Sequence, residues 1–185
     1  ETKVQSSYLN AGSGALMVGA SDAANVETVI ATASGALGAA IGVVTNVITT
    51  DHSTGVVVTG TSTDKSSLTG TSVSVDADAK EGISSLLIAA SGAQYAAVSA
   101  SVNVNRQLSD VSAAVDQTEV LGSFAQNANY LGRITTSAIT AAGSQYAAVP
   151  ISVVINYADN AVSSSVAHSI LRAEGQSASV GANRI

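Results

Sequence analysis

The chain has no cysteine and no tryptophan, and only one phenylalanine (Phe124), one methionine (Met17) and one proline (Pro150). Without thiols there are no disulfides and no thiolate metal sites, and the compartment is left open. A chain that crosses a secretion pore unfolded gains from carrying no disulfide. Aromatics make up 3% of the residues although apolar residues make up 46%, so the apolar content is mostly Ala and Val. Such side chains fill thin, regular layers rather than one thick core. Charged residues are 11%, where about a quarter is usual. Solubility therefore falls to Ser, Thr, Asn and Gln, a surface suited to an extracellular stalk. The 7 Lys and Arg are scattered singly in a chain of net charge −6, so no basic stripe for nucleic acid is expected. The 185 residues allow one domain with a real core. The chain opens Glu1-Thr2-Lys3 without a Met or leader, which reads as a mature product or a segment of something longer.

What is present is a repeat. The stretch Gly92–Asn105 (GAQYAAVSASVNVN) returns 51 positions later as Gly143–Asn156 (GSQYAAVPISVVIN), with nine of fourteen residues identical. A looser copy runs from Gly35 to Ile48 (GALGAAIGVVTNVI), 57 positions before the second. Upstream, Val26, Ala31 and Ala33 correspond to Ile83, Ile88 and Ala90, and then to Ile134, Ile139 and Ala141. Downstream, Val111 and Val115 correspond to Val162 and Val166. Units at about 24–78, 79–133 and 134–185 follow, with 1–23 as a lead or degenerate coil and insertions between the first two units. A period of this size signals a solenoid, a propeller or an array.

The local period is that of strands. Val73-Ser-Val-Asp-Ala-Asp-Ala79 alternates as a half-buried strand does. Ser99 to Asn105 alternates again, with Ala100, Val102 and Val104 on one face. The runs Val43-Val44, Val56-Val57-Val58 and Val153-Val154-Ile155 read as strands covered on both faces. Asp51–Gly55, Asn127–Asn129 and Asp159-Asn160 read as turns. Pro150 heads a strand-like run, where a missing N–H is tolerated. Together these predict an all-β parallel β-helix whose coils take roughly 20 residues, two or three coils to a unit, with an interior of Ala, Val and Ile ladders and the outline of a rod. The rival is a weak transmembrane helix over Val29–Ile48, which has no charge and holds a GxxxG at Gly38–Gly42. Its counterparts at 86–105 and 137–156 carry Gln, Asn and Ser in alternating places, and no membrane span is expected.

The pattern V-S-V-D-A-D-A (Val73–Ala79), a polar turn, I-x-x-L (Ile83–Leu86), a Gly/Ala run (Ala89–Ala97), then A-S-V-N-V-N and V-x-A (Ala100–Val115) resembles the repeats of large filamentous adhesins of Gram-negative bacteria, the haemagglutinin-like and leukotoxin-type secreted exoproteins. The similarity covers roughly residues 24–170. It implies a right-handed parallel β-helix shaft, exported through an outer-membrane pore and displayed on the cell or released. It supplies no catalytic residues. The unequal spacings of 57 and 51 and the lack of an amino-terminal secretion domain depart from that pattern and leave the secretion route open.

Few residues invite chemistry. Asp76 and Asp78 form a D-x-D that could offer oxygens to calcium, but only Glu81 lies near and a solvated strand face is favoured. Asp51-His52-Ser53 holds the residue types of a hydrolase triad, yet neighbours in sequence cannot point at one another in that geometry. His168 lies far away in a polar context. The glycines at 12–14 and 35–38 have no Lys-Ser/Thr behind them, so they read as turns, not phosphate loops. Tyr95 and Tyr146, one repeat apart, read as ladder packing, with a stacking platform for a partner as the alternative. Asn103, Asn105 and Asn156 read as a structural asparagine ladder.

The expectation is a structural and adhesive module without catalytic, cofactor or metal residues, extracellular or at the surface of a Gram-negative cell. Its expected partners are other copies of itself, through uncapped ends or laterally, and host or neighbouring cell surfaces. The alternative is a β-helix enzyme acting on polysaccharide.

Overall fold

The computed structural model describes residues 1–173 and 177–185. In chain order the strands are β1 (Thr2–Gln5), β2 (Tyr8–Asn10), β3 (Ala15–Ala36), β4 (Ala39–Thr59), β5 (Ser66–Ala93), β6 (Ala96–Asp116), β7 (Thr118–Gly143), β8 (Ala147–Ala167), β9 (Ile170–Arg172) and β10 (Ala178–Arg184). No helix occurs among the described residues. Strands alternate between two sheets. One runs β1-β4-β6-β8; in the other β5 pairs with β2 and β3, and β7 pairs with β5, β9 and β10. Every pairing is parallel. The chain is a parallel β-solenoid built of repeats of about fifty residues.

Each sequence repeat becomes a stacking register. Val26 lies beside Ile83 and Ile83 beside Ile134. Val98 lies between Ile41 and Val149, and Val111 and Val115 lie beside Val162 and Val166. One repeat is therefore one coil, not two or three: β3 with β4, β5 with β6, and β7 with β8. The reason is strand length. These six strands run 21 to 28 residues, and the supposed turns at Asp51–Gly55, Asn127–Asn129 and Asp159-Asn160 lie inside β4, β7 and β8. Each polar residue there is paired in register along a neighbouring strand that hydrogen-bonds its backbone, β6 for the segments in β4 and β8 and both β5 and β10 for Asn127–Asn129, so turn formers stay extended.

The 57 and 51 spacings have a structural account. Between β4 and β5 the chain takes a six-residue loop, residues 60–65, where β6 passes to β7 through Gln117 alone. A register shift between Thr69 and Ser72 adds one more residue to β5. Five extra residues in the loop and one in the shift make the difference of six. Beside that shift Gly122 has φ +124, and a Cβ there would run into the Gly70 carbonyl, so only glycine fits. The short turns at this end place Ser6, Gln117 and His168 in the left-handed region, with φ of 43, 51 and 48.

With strands of about twenty-one residues at roughly 3.3 Å each, the molecule is about 70 Å wide, while its stacked layers at about 4.8 Å add up to only some 20 Å. It is a plank in outline and not the expected rod. Strand length sets the width, and this chain supplies only three full coils.

The interior divides along the width. Toward the end bearing residues 60–65 and Gln117 lies an apolar core of Val56, Val58, Leu68, Val73, Val75, Val111, Val115, Val120 and Phe124. Toward the opposite end the buried positions of β6 are Ala97, Ser99, Ser101, Asn103 and Asn105, with Leu87 and Ala89 of β5 and Val44 of β4 as a small apolar cluster beside them. The expected ladders of Ala, Val and Ile therefore fill only part of the interior. Val102 and Val104 point outward there, as do Ile41, Val43 and Val47 on β4. The runs read as covered on both faces are not all so: Val43 is 54% exposed while its neighbour Val44 is 4% exposed, and Val153, Val154 and Ile155 of β8 are all exposed. β8 belongs to the last full coil and pairs with β6 on one side only. The stretch Val29–Ile48 is not a helix; it is the end of β3, a turn at Leu37-Gly38 and the start of β4. No helix among the described residues is long and apolar enough to cross a membrane.

Candidate functional site

The turns Leu37-Gly38, Gln94-Tyr95 and 144–146 join successive sheet strands at one end of the plank. Stacking in register brings Tyr95 and Tyr146 together there. Their rings lie 5.6 Å apart with planes inclined by 16°, and both remain exposed, at 55% and 76%. They form a short aromatic ladder at the tip, and it is open to solvent.

The asparagines form two ladders instead of one on the inner side of the sheet, buried at Asn46, Asn103 and Asn105 and exposed at Asn156 on the last coil. Asn46 and Asn103 are paired in register, and the Asn46 amide donates to Asn103 Oδ1 at 3.3 Å. Asn105 and Asn156 are paired in the same way one pleat along, with Asn105 donating to Asn156 Oδ1 at 2.9 Å. Hydroxyls join the two. Asn103 Nδ2 donates to Ser85 Oγ at 2.8 Å, Ser85 Oγ donates to Asn105 Oδ1, and Thr136 Oγ1 accepts from Asn105 and donates to Asn156. Since Ser85 and Thr136 belong to the opposite sheet, the network ties the two sheets together through the coil. The buried polar groups satisfy one another, which is the condition for keeping them inside.

A second polar belt crosses mid-width. Glu81 is 3% exposed; its Oε2 accepts from Ser109 Oγ at 2.7 Å and from the Tyr130 hydroxyl at 3.5 Å. Burial is the main cause that pushes the Tyr130 phenol above its ordinary value of 10.0; the neighbouring Glu81 adds to this, and the Ser109 hydrogen bond opposes it. Gly132 follows in the same belt. A Cβ on it would meet the Tyr130 hydroxyl at 2.5 Å, so the absence of a side chain there makes room for the phenol.

The other candidates stay apart. His52 lies 3.3 Å from Asp22, and Asp51 and Ser53 take no part in that contact. His168 lies 2.9 Å from Asp116 at the far end. Asp76 and Asp78 face outward as a solvated strand face, accepting hydrogen bonds from Asn127 and Asn129 of the next coil at 2.9 and 2.8 Å. No group of three or more His, Asp or Glu residues that could hold a metal occurs among the described residues.

What residue-by-residue reading missed is the outward apolar surface of β4, β6 and β8. In register its ladders are Ile41–Val98–Val149, Val43–Ala100–Ile151, Thr45–Val102–Val153 and Val47–Val104–Ile155. Beyond it Arg106 lies over the ring of Tyr157 at 5.7 Å. The charge-free runs 29–48, 86–105 and 137–156 carried the signal.

Fold and ladders together define the class: a two-sheeted parallel β-solenoid whose buried polar network and exposed aromatics repeat from coil to coil. Set against known protein families, characterised proteins and solved structures, the chain matches none.

Proposed function

We propose that the chain is a structural and adhesive segment of a bacterial extracellular filament or secreted adhesin, which works by length, stiffness and a repeated surface. One observation carries this reading: the same side chains return at the same height on successive coils, as in Tyr95 on Tyr146 and Asn105 on Asn156. A surface made this way presents its contacts at a fixed spacing of about 4.8 Å, and it multiplies them with each added coil. The outermost strands offer unpaired edges. Among the described residues β8 pairs only with β6, and β4 beyond its last residues has no neighbour on its outer side. Open parallel edges template further strands, from the same chain or another copy.

The alternative, a polysaccharide-active enzyme, needs two opposed carboxylates beside a sugar groove. The ladders favour the scaffold. The reading is tested by electron microscopy and diffraction of the purified chain over a range of concentrations. Filaments or stacked planks with a 4.8 Å axial repeat are the expected result, and compact helical particles would overturn it.

A further inference from the structure

We propose that the outer face of β4, β6 and β8 over residues 41–47, 98–104 and 149–155 is a lateral docking surface for a second copy of this chain; the proposal deepens the self-associating scaffold reading and rests on it. On β6 in this half of the plank the usual arrangement is inverted. The inner side of β6 is Ser99, Ser101, Asn103 and Asn105, all buried, while Ile41, Val43, Val47, Val149, Ile151, Val153 and Ile155 are between 40% and 71% exposed on the outside. Inside, a small cluster of Val44, Leu87 and Ala89 accompanies these polar groups, and the outward apolar side chains of this half gain nothing from closing the coil. They are shielded from water only if something covers them.

Three features select the occupant. No charged residue lies in 29–48, 86–105 or 137–156, so the partner needs no complementary charge on this face. The face is corrugated by four ladders in strict register, about 4.8 Å apart across the strands and close to 6.7 Å along them. A partner meshes with the whole length only if its own ridges have that spacing, and the same face of another copy has it. A bilayer does not fit: among the described residues, β4 over residues 39–55 and β8 over residues 147–159 have no strand on their outer edge beside this face, and lipid offers no hydrogen bond to such backbone groups.

Size sets the strength. Four ladders across three strands cover roughly 400 Å² per copy, about half of the roughly 800 Å² each partner contributes to a standard interface. Pairing is therefore weak for three coils and grows with coil number.

The test is sedimentation velocity of the chain from micromolar to millimolar concentration, with Val102→Lys at the centre of the face, Ile151→Lys nearer its edge, and Ser112→Lys on the outer side of β6 beyond the patch as control. The wild type's average mass is expected to rise with concentration from 18.2 kDa to at least twice that value. Val102→Lys and Ile151→Lys are expected to raise the midpoint at least tenfold, and Ser112→Lys to leave it unchanged. Circular dichroism reports which variants keep the strand signal, and Ile151→Lys carries the test if Val102→Lys does not fold. A wild type that stays monomeric throughout, self-association equal in all folded variants, or capture by phosphatidylcholine vesicles in place of pairing would overturn the proposal. Filaments of undiminished length in the lysine variants would show that end-to-end stacking, and with it the scaffold reading, stands independently; absence of filaments from a chain that still pairs laterally would sink the scaffold reading instead.

Discussion

The hydroxyl of Tyr130 donates to Glu81 Oε2, joining residues 49 positions apart in the buried mid-width belt. Tyr130 stands on β7 and Glu81 on the neighbouring β5, so the contact links successive coils from within one sheet. Ser109 on β6 approaches the same oxygen from the opposite sheet. The belt is thus a junction of three strands and a sensitive place to test the fold.

Alkaline stability should report on Tyr130. Its folded value lies above the 10.0 of a free phenol. Below pH 10 the phenol is neutral in both folded and unfolded chains, and the contribution is fully present. As pH rises from 10 toward the folded value, only the unfolded chain releases the proton, so stability is lost through that window. Urea denaturation at a series of pH values should show this decline, and Tyr130→Phe should lessen its slope. An unchanged slope in the variant would contradict the assignment.

Gly132→Ala should destabilise by about 1–3 kcal/mol, since the new methyl would meet the Tyr130 hydroxyl at 2.5 Å and the ring must move. Gly143→Ala, where a Cβ would have no neighbour within 4 Å, is the control and should stay within about 0.5 kcal/mol. Denaturant midpoints of the two variants decide the matter.

Asn105→Ala should cost about 2 kcal/mol, because buried Ser85 loses a partner in the interior and part-buried Thr136 and exposed Asn156 lose one beside it. Asn46→Ala removes one hydrogen bond at the edge of the network, to Asn103, and should cost less. Equal losses in thermal or chemical unfolding would mean that the network is not cooperative.

Tyr95→Ala and Tyr146→Ala should each cost little, since both rings are exposed. A double-mutant cycle between them should give a coupling of about 0.5–1 kcal/mol if ring stacking contributes. A coupling near zero would return these tyrosines to the alternative, a platform for a partner.

Deleting residues 92–142, so that Ser91 runs into Gly143, removes one 51-residue period and joins equivalent points of successive coils. The product should keep its strand circular dichroism and lose one layer of the stack, with a lower unfolding midpoint because nearest-neighbour interfaces are lost. Collapse to a disordered chain would contradict the one-repeat, one-coil architecture.

The repeat offsets were legible in the sequence, and so were the pairs they imply: Val26 with Ile83, Val111 with Val162, Tyr95 with Tyr146, Asn105 with Asn156. In a parallel stack like lies above like, so identity at a fixed offset is already a contact map. The strand period of Val73–Ala79 was equally plain, and its apolar parity does face the core. Only the tertiary structure decided where the coil turns, because Asn, Asp and Gly signal turns in isolation but are held extended when a neighbouring strand pairs with them in register. Only it decided which parity of Ser99–Asn105 faces inward. Alternation establishes that the two faces of a strand differ; it does not say which is inside when both carry small side chains. Here Ser85 and Thr136 of the opposite sheet complete the hydrogen bonds of Asn103, Asn105 and Asn156. The asparagines of the polar parity are thereby satisfied within, and Val102 and Val104 are left to the surface.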